Sequence, residues 1–396
     1  MNLLQRSIAR ATRQTTVEVG QKVSVPVELA VAHDGSGPKV IEAFEKLGAK
    51  TVFDPTRVVW SLDHFLPAPT STAREAHLLM LEFCRRHGVK LYQRGEGVIH
   101  QVIAETLRPS RGAVVAGADG HMATVGAWGA LGFSVSPAEM AWILATGHLT
   151  LEVPPVVRCL IEGQPGPGVG AKDMALHLLK NFGTDTLKGK ALAVGGSAVK
   201  ALSWSERMTL TNMMGELGAV TGWIDEGEDT TSGGFEETIE LDASSMSPVV
   251  ACPPSPANVR DLAEVSGVPL TQVVVGGCSA GRLEDMQVLA EVLSGRRVHP
   301  GVNLVVVPAS ARVLGAMERE GYTAVIRASG GIITPPGCGP CGGNHLGVAG
   351  STDSVLTTTV RNTPGRMGAR QAAIYIASPY IAAWSAVHRC LMLPNA

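Results

Sequence analysis

Gly276-Gly-Cys278-Ser-Ala-Gly-Arg282 and, further along the chain, Pro336-Gly-Cys338-Gly-Pro-Cys341-Gly-Gly343 are the stretches that most narrow the fold this sequence can adopt. Cys338 and Cys341 are close enough in sequence to hold one metal centre, and Cys278 can complete a three-point ligation. Four thiolates would close a [4Fe-4S] cluster, whereas three leave one iron without a protein ligand. An open coordination position is typical of catalytic rather than structural metal sites. The spacing therefore predicts a catalytic iron–sulfur centre.

The pair Cys338 and Cys341 could alternatively form a redox dithiol or half of a zinc site. The sequence has no second CxxC, and no strand-CxxC-helix pattern surrounds this one. Seven cysteines without a secretory signal favour reduced thiols over a disulfide framework. The cysteines outside the predicted centre, which we expect to be small core or structural residues, are Cys84, Cys159, Cys252 and Cys390.

Composition narrows the class of protein. A chain of 396 residues with 45% hydrophobic residues, 17% charged residues and 46 glycines is typical of a loop-rich α/β enzyme with two or three domains. The net charge of −2, without a lysine-rich block, argues against nucleic-acid binding. No apolar run reaches the roughly 18 residues of a membrane span.

Three arginines before residue 14 raise the alternative of an organellar presequence. The segment lacks the serine richness of a presequence, so we expect a first helix and a cytoplasmic protein.

Short apolar strands alternate with helical stretches, which predicts mostly parallel sheets with ligands at the carboxyl ends of their strands. We expect strands at 23–32, 50–53 and 303–307, among others, and a helix at 283–293. Two turn-rich stretches, 163–170 and 247–256, are predicted to be a turn and a linker. The expected organisation is three α/β domains, at 1–153, 154–250 and 251–396.

Acidic residues and histidines stand together near the ends of predicted strands. Such a carboxylate orients an imidazole and raises its basicity, which suits general acid–base chemistry. Any one of these combinations alone is more often a turn or a buried structural histidine, but together with the cysteines they predict a catalytic site. They are Asp63-His64, Asp119-Gly-His121, His100, and Glu216 one helical turn after Asn212.

Two arginines lie on a Pro/Gly turn, Arg361-Asn-Thr-Pro-Gly-Arg366. Guanidinium groups bind carboxylates in a bidentate manner, so this pair could clamp a dicarboxylate. Taken alone, both would be surface arginines.

Nearly end to end, the chain resembles the aconitase superfamily, specifically the large subunit of its isopropylmalate dehydratase and homoaconitase branch. The Ser36-containing loop looks like that family's early substrate loop, and further ordered matches follow along the chain. They are Ala32-His-Asp-Gly-Ser-Gly-Pro38, Asp63-His-Phe-Leu-Pro67, Ala118-Asp-Gly-His121, Ala171-Lys-Asp173, Asn212-Met-Met-Gly-Glu216, the three cysteines, and Arg361 with Arg366.

The resemblance implies three α/β domains around a [4Fe-4S] cluster with one open iron that acts as a Lewis acid. It further implies loss or exchange of water on a hydroxy-dicarboxylate such as 3-isopropylmalate or homocitrate. The fourth, swivelling domain of single-chain relatives is missing, so a separate small subunit would supply the serine base. The roles implied are proton donation by His64 oriented by Asp63, pairing of Asp119 with His100 and of Glu216 with His121, and substrate binding by Ser36, Asn212, Arg361 and Arg366.

Three departures from the family pattern stand beside the expected site. Gly120 replaces a usual serine, Ser279-Ala280 replaces Thr-Asn, and Val360 replaces an asparagine. Lost polar groups near a metal centre change its potential and its ligand binding. Two alternatives therefore stay open: a one-way dehydratase or hydratase of a dimethylmalate-type substrate, and an iron–sulfur sensor that has lost catalysis.

Overall fold

The computed structural model describes residues 1–227 and 234–392. Residues 228–233 of the second predicted domain and 393–396 of the third lie outside the described residues. Helices α1 to α14 are, in chain order, Leu3–Thr12, Gly37–Lys46, Ser71–His87, Ile99–Thr106, Pro137–Thr146, Ala171–Phe182, Ser197–Lys200, Trp204–Asn212, Leu262–Val265, Gly277–Ala280, Leu283–Leu293, Ala311–Arg319, Tyr322–Ser329 and Pro379–His388. Short 3₁₀ helices lie at Pro55–Arg57, Met122–Trp128, Met213–Leu217, Ala243–Ser245 and Gly339–Gly342.

The strands belong to several separate sheets. Strands β1 to β18 are, in chain order, Lys22–Pro26, Leu29–His33, Val58–Ser61, Lys90–Tyr92, Val114–Gly117, Leu131–Ser134, His148–Glu152, Val156–Glu162, Ala191–Gly195, Thr221–Ile224, Glu237–Asp242, Val249–Ala251, Val259–Asp261, Gln272–Gly276, Asn303–Val307, Ile332–Ile333, Ser354–Thr357 and Ala373–Ile376. The α/β class predicted from the alternating pattern is confirmed.

The first sheet is parallel, with the strand order β4-β3-β2-β5-β6. Strand β1 instead pairs antiparallel with β7 in a two-stranded ribbon. The single strand predicted at 23–32 is therefore wrong, because the chain leaves the ribbon after Pro26 and enters the sheet at Leu29. The strand predicted at 50–53 is also wrong, since that segment joins no sheet.

Two further sheets follow along the chain. The second is parallel, in the order β10-β9-β8-β11. The third has the order β13-β12-β18-β17-β14-β15-β16 and is parallel except where β12 pairs with β13 and β18. Strand β12 lies inside the proline-rich stretch predicted as a linker.

Helix α5 shows how local sequence sets an element's bounds. The Ser136 hydroxyl accepts from the Glu139 amide at 3.2 Å, and the Glu139 carboxylate accepts from the Ser136 amide at 2.7 Å. This reciprocal cap satisfies two amides that the first helical turn leaves open. The helix ends at Thr146 and is capped by Gly147, whose φ of 76° is left-handed, a conformation that glycine adopts without a Cβ penalty.

Apolar packing holds the helices against the sheets. On the first sheet, Trp60 of β3 is fully buried and stacks on Phe83 of α3 with 4.9 Å between ring centroids. Burying one such side chain contributes about 1.5–3 kcal/mol. These rings fix α3 across the sheet whose strand ends carry the polar residues described below.

Strand ends bring most of the predicted site residues to one region. Strand β2 ends at His33, β3 ends just before Asp63, and β5 ends just before Asp119. In the third sheet, β14 ends at Gly276 before Cys278, and β17 ends at Thr357 before Arg361.

Within the described residues, no helix is both long and apolar enough to span a bilayer.

Candidate active site

Three cysteines form the centre of the site. Cys278 lies in α10 and is partly exposed, whereas Cys338 and Cys341 flank and enter a 3₁₀ turn and are each only 7% exposed. The Cys338 amide donates to the carbonyl oxygen of Asp63 at 2.9 Å, which ties the cysteine turn to the end of the first sheet. None of the three is in a disulfide.

The thiols influence one another's protonation. Burial, then the charges of Cys341 and Asp119, raises the pKa of Cys278 to about 12. Burial, then Asp63 and the other two cysteines, raises the pKa of Cys338 well above its usual range. Thiolates crowded in an apolar setting are stable only when a cation compensates them, and soft sulfur ligands select iron–sulfur clusters, zinc or copper(I). The three cysteines therefore fit a soft-metal centre, and an iron–sulfur cluster is one such centre.

Predicted site residues contact each cysteine sulfur. Nε2 of His64 lies 3.6 Å from Cys338 Sγ, Nη2 of Arg366 lies 3.7 Å from Cys341 Sγ, and Oδ1 of Asn212 lies 3.8 Å from Cys278 Sγ. Asn212 is fully buried, and its amide donates to Thr124 Oγ1 at 2.8 Å, which fixes its orientation.

His64 is held by the carboxylate of its sequence neighbour. Its Nδ1 lies 2.6 Å from Asp63 Oδ1, while Asp63 Oδ2 accepts from the Ile99 amide at 2.6 Å. Burial lowers the pKa of His64, but Asp63 and then Asp34 and Asp119 outweigh it and raise the pKa to about 9. These carboxylates favour the protonated form of the imidazole, whose Nε2 is directed at a cysteine sulfur.

A second carboxylate, Asp119, organises three histidines. It binds Nε2 of His100 at 2.9 Å and Nε2 of His33 at 3.2 Å, and it accepts from the His121 amide at 2.6 Å. Burial would raise the pKa of Asp119, but His100 and His33 hold it well below its usual range. The predicted pairing of Asp119 with His100 is thus present in the structure.

A third group joins His121, Glu216 and Arg361. Nε2 of His121 lies 3.0 Å from Glu216 Oε1, and Nε of Arg361 donates to both Glu216 oxygens at 2.8 and 3.0 Å. Burial would raise the pKa of Glu216, but His121 and Arg361 lower it to about 2. Burial lowers the pKa of His121. His121 and Arg361 together therefore favour the ionised form of Glu216. Among the described residues neither Nη atom of Arg361 has a hydrogen-bond partner.

The structure adds residues that the sequence analysis did not select. Asp34 accepts from the amides of His64 and Phe65, both at 2.9 Å, and from Nε2 of the fully buried His77 at 3.0 Å. Burial would raise the pKa of Asp34, but His77 and His64 lower it to about 2. His33 stacks on His64 with 3.9 Å between ring centroids. His33 and Asp34 lie in the same stretch as Ser36, residues 32–38, so the sequence did contain a signal for these two residues.

Ser36 lies at the start of α2 and is partly buried. Its hydroxyl donates to the carbonyl oxygen of His33 at 3.4 Å and does not cap the helix. The loop around Ser36 thus borders the His33–His64 stack.

The chain is similar to proteins of one family. The model of the aconitase family (aconitate hydratase) matches residues 6–232 and 262–388. The large subunit 1 of 3-isopropylmalate dehydratase from Methanopyrus kandleri is 38% identical, over 97% of this chain and 96% of that protein. The large subunit from Moorella thermoacetica is 35% identical over 100% and 99%, and a probable methanogen homoaconitase large subunit from Methanothermobacter thermautotrophicus is 33% identical over 100% and 98%.

One solved structure has a comparable fold. Aconitase X from Thermococcus kodakaraensis, in its holo-form, aligns with a TM-score of 0.53 at 15% identity, covering 93% of each chain. At this identity the likeness concerns the fold alone. Because the family model covers most of the chain and full-length relatives exceed 30% identity, the chain belongs to the aconitase family of hydro-lyases.

Proposed function

We propose that this chain is the cluster-bearing large subunit of a hydro-lyase that removes and re-adds water on a hydroxy-dicarboxylate, such as 3-isopropylmalate or a related substituted malate or homocitrate. The observation that carries the proposal is the position of His64, paired with Asp63 at 2.6 Å and 3.6 Å from the sulfur of Cys338. This contact places the His64 ring, a potential proton donor, beside Cys338, a residue that fits a metal centre.

Membership of the aconitase family implies an iron–sulfur cluster, and the finer proposal is a [4Fe-4S] cluster held by Cys278, Cys338 and Cys341. Such a cluster, with one iron lacking a protein ligand, supplies a Lewis acid that polarises hydroxyl and carboxylate oxygens. The burial of Cys338 and Cys341 limits the access of water to their sulfurs.

His64 is proposed to protonate the departing hydroxyl. As an imidazolium it donates from Nδ1 to Asp63 and holds its second proton at Nε2, on the side of the cysteines. The stacked ring of His33 and the Asp34 contacts to the His64 backbone hold the ring in place. His64 is thus a preorganised general acid.

The two remaining carboxylate groups are proposed to orient substrate. Asp119 positions His100, and Glu216 positions His121 and Arg361. The Nη atoms of Arg361 and the guanidinium of Arg366 would bind substrate carboxylates. Ser36 and Asn212 would complete the polar lining around the hydroxy acid.

The carbon-bound proton requires a base, which we propose that a small subunit supplies as a serine on a swivelling domain. The large-subunit names of the relatives imply a small-subunit partner. The archaeal and bacterial relatives are compatible with a cytoplasmic location. This chain without its partner would therefore bind cluster and substrate but turn over little or nothing.

Anaerobic reconstitution with iron and sulfide tests the proposal, with absorption and EPR spectra of wild type, Cys338→Ser and the control Cys390→Ser. We expect a cluster in wild type and C390S, a lost or altered cluster in C338S, and a spectral shift on adding 3-isopropylmalate or homocitrate. Turnover should then require the small subunit, and NMR of the products would tell an isomer from a released alkene. A chain that binds zinc, or turns over alone, contradicts the proposal.

A further inference from the structure

Lys172 is a buried cation that the proposed mechanism does not use. It is the second residue of α6 and is 2% exposed. Its Nζ donates to Ser279 Oγ at 3.0 Å, to the carbonyl oxygen of Thr359 at 3.1 Å and, more weakly, to Met213 Sδ at 3.6 Å. One ammonium thus joins helix α6, the turn after β14 and the segment after β17.

These partners adjoin the candidate active site. Ser279 directly follows Cys278, and its hydroxyl donates onward to the carbonyl oxygen of Thr358 at 2.8 Å. The Ser279 carbonyl oxygen accepts from Thr209 Oγ1 at 2.7 Å. Lys172 therefore sits directly behind the backbone that presents Cys278.

No carboxylate among the described residues lies within ion-pair distance of Lys172 Nζ. Asp285 and Arg282 are near enough to act on it with opposite signs, and the Asp285 carboxylate already accepts from the Arg282 amide at 2.9 Å. Burial lowers the pKa of Lys172 to about 8, and the charges of Cys278, Asp285 and Cys341 oppose that effect. A buried ammonium is stable only beside a compensating negative charge.

The Cys278 thiolate is a candidate for that negative charge, because Ser279, which directly follows Cys278, accepts from Lys172 Nζ at 3.0 Å. When Cys278 and Cys341 bind a cluster they must be deprotonated, so metal binding creates negative charge next to Lys172. The positive charge of Lys172 and the negative charge of the cluster thus compensate each other, since either charge costs free energy to bury alone.

We propose that Lys172 is the built-in counter-charge of the iron–sulfur cluster, a positioning residue that stabilises the cluster's negative charge and fixes the Cys278 turn through Ser279. The inference deepens the proposed function and rests on it. Lys172 touches neither substrate nor the reacting atoms, so its effect appears in the cluster's potential and retention before it appears in turnover.

The test compares Lys172→Met and Lys172→Gln with wild type and with Lys180→Met, which removes an exposed lysine from the same helix. K172Q keeps a polar donor for Ser279 without the charge. In EPR-monitored redox titrations we expect the cluster midpoint potential of K172M and K172Q to move to more negative values, because reduction adds a negative charge that the cation no longer offsets. Chelator-driven iron loss should be about 10-fold faster in both variants. K180M should match wild type in both measurements.

Melting of the metal-free proteins distinguishes charge compensation from a structural role. We expect metal-free K172M to melt at or above the wild-type temperature, since it lacks a buried, uncompensated cation. Wild-type potential and iron retention in both variants would overturn the inference, as would collapse of both metal-free variants, which would make Lys172 a fold anchor. A wild-type chain that assembles no cluster overturns the proposed function and this inference with it.

Discussion

Arg361 and Gly120 are in direct contact: Nη2 of Arg361 lies 2.8 Å from the point that a Cβ of residue 120 would occupy. The missing side chain lets the guanidinium lie over the backbone at Gly120 while its Nε holds both oxygens of Glu216. The same carboxylate binds His121, so the departure at position 120 shapes the whole His121–Glu216–Arg361 group.

Gly120→Ser tests this relationship. The added side chain should shift the flexible end of Arg361 and weaken its hold on a substrate carboxylate. Since a hydrogen bond to a charged group contributes about 1.5–3 kcal/mol, we expect KM to rise about 10-fold or more, with a smaller change in kcat. Steady-state kinetics of the complex with the small subunit measure both constants. The control is Gly170→Ser, where a new Cβ meets nothing within 4 Å; an unchanged KM in G120S would contradict the prediction.

His64→Gln should leave the cluster spectrum intact and lower kcat by roughly 10²- to 10⁴-fold, the usual contribution of a positioned general acid. Asp63→Asn should lower kcat less, because the ring remains but loses the carboxylate that orients it. His148→Gln, at an exposed histidine, is the control. Near-normal kcat in H64Q would exclude His64 as the proton donor.

Asp34→Asn should destabilise the metal-free chain in a pH-dependent way. The folded-state pKa of Asp34 is lowered from 3.8 to about 2, so its contribution is complete above the unfolded value and is lost as pH falls towards 2. By linkage the shift corresponds to about 2 kcal/mol at neutral pH. Chemical unfolding of D34N and wild type at pH 7 and near pH 3 should show a difference that shrinks in acid. Asp185→Asn, at an exposed aspartate, is the control. If D34N and wild type differed by the same free energy of unfolding at both pH values, the stabilisation could not come from a lowered pKa of Asp34.

Gly276→Ala should disrupt the turn that presents Cys278. The φ of Gly276 is 140°, and a Cβ there would collide with the carbonyl oxygen of Val307. The unfavourable backbone alone costs about 1–3 kcal/mol, and the collision adds to it. We expect reduced stability and a weakened cluster, read from melting and iron content. Gly295→Ala is the matched control, with a positive φ but nothing within 4 Å of the new Cβ. Equal melting temperature and iron content in G276A and G295A would show that the collision with Val307 is relieved, which would contradict the prediction.

Local patterns predicted much of the fold. Helix α11 and strand β15 lie at the predicted 283–293 and 303–307, because a complete apolar face and clear turn residues specify them without help from distant partners. The predicted strand at 23–32 failed for the opposite reason: the choice between ribbon and sheet depends on β7, far along the chain. The segment at 50–53 has a strand-like composition but joins no sheet among the described residues, and its Phe53 amide donates to the Leu144 carbonyl oxygen of α5 at 2.7 Å.

The sequence by itself determined the local groupings of the candidate site: Cys338 with Cys341, the Asp63-His64 neighbours and the Asp119-Gly-His121 turn are patterns whose members stay close in any compact fold. Tertiary structure alone decided which groups meet across the chain, such as Glu216 with Arg361, His77 with Asp34 and Lys172 with Ser279. These pairs lie on different sheets and helices, so residue spacing carries no signal for them. They form because strand ends and helices from distant parts of the chain meet there and bury polar groups that find their partners only across the chain.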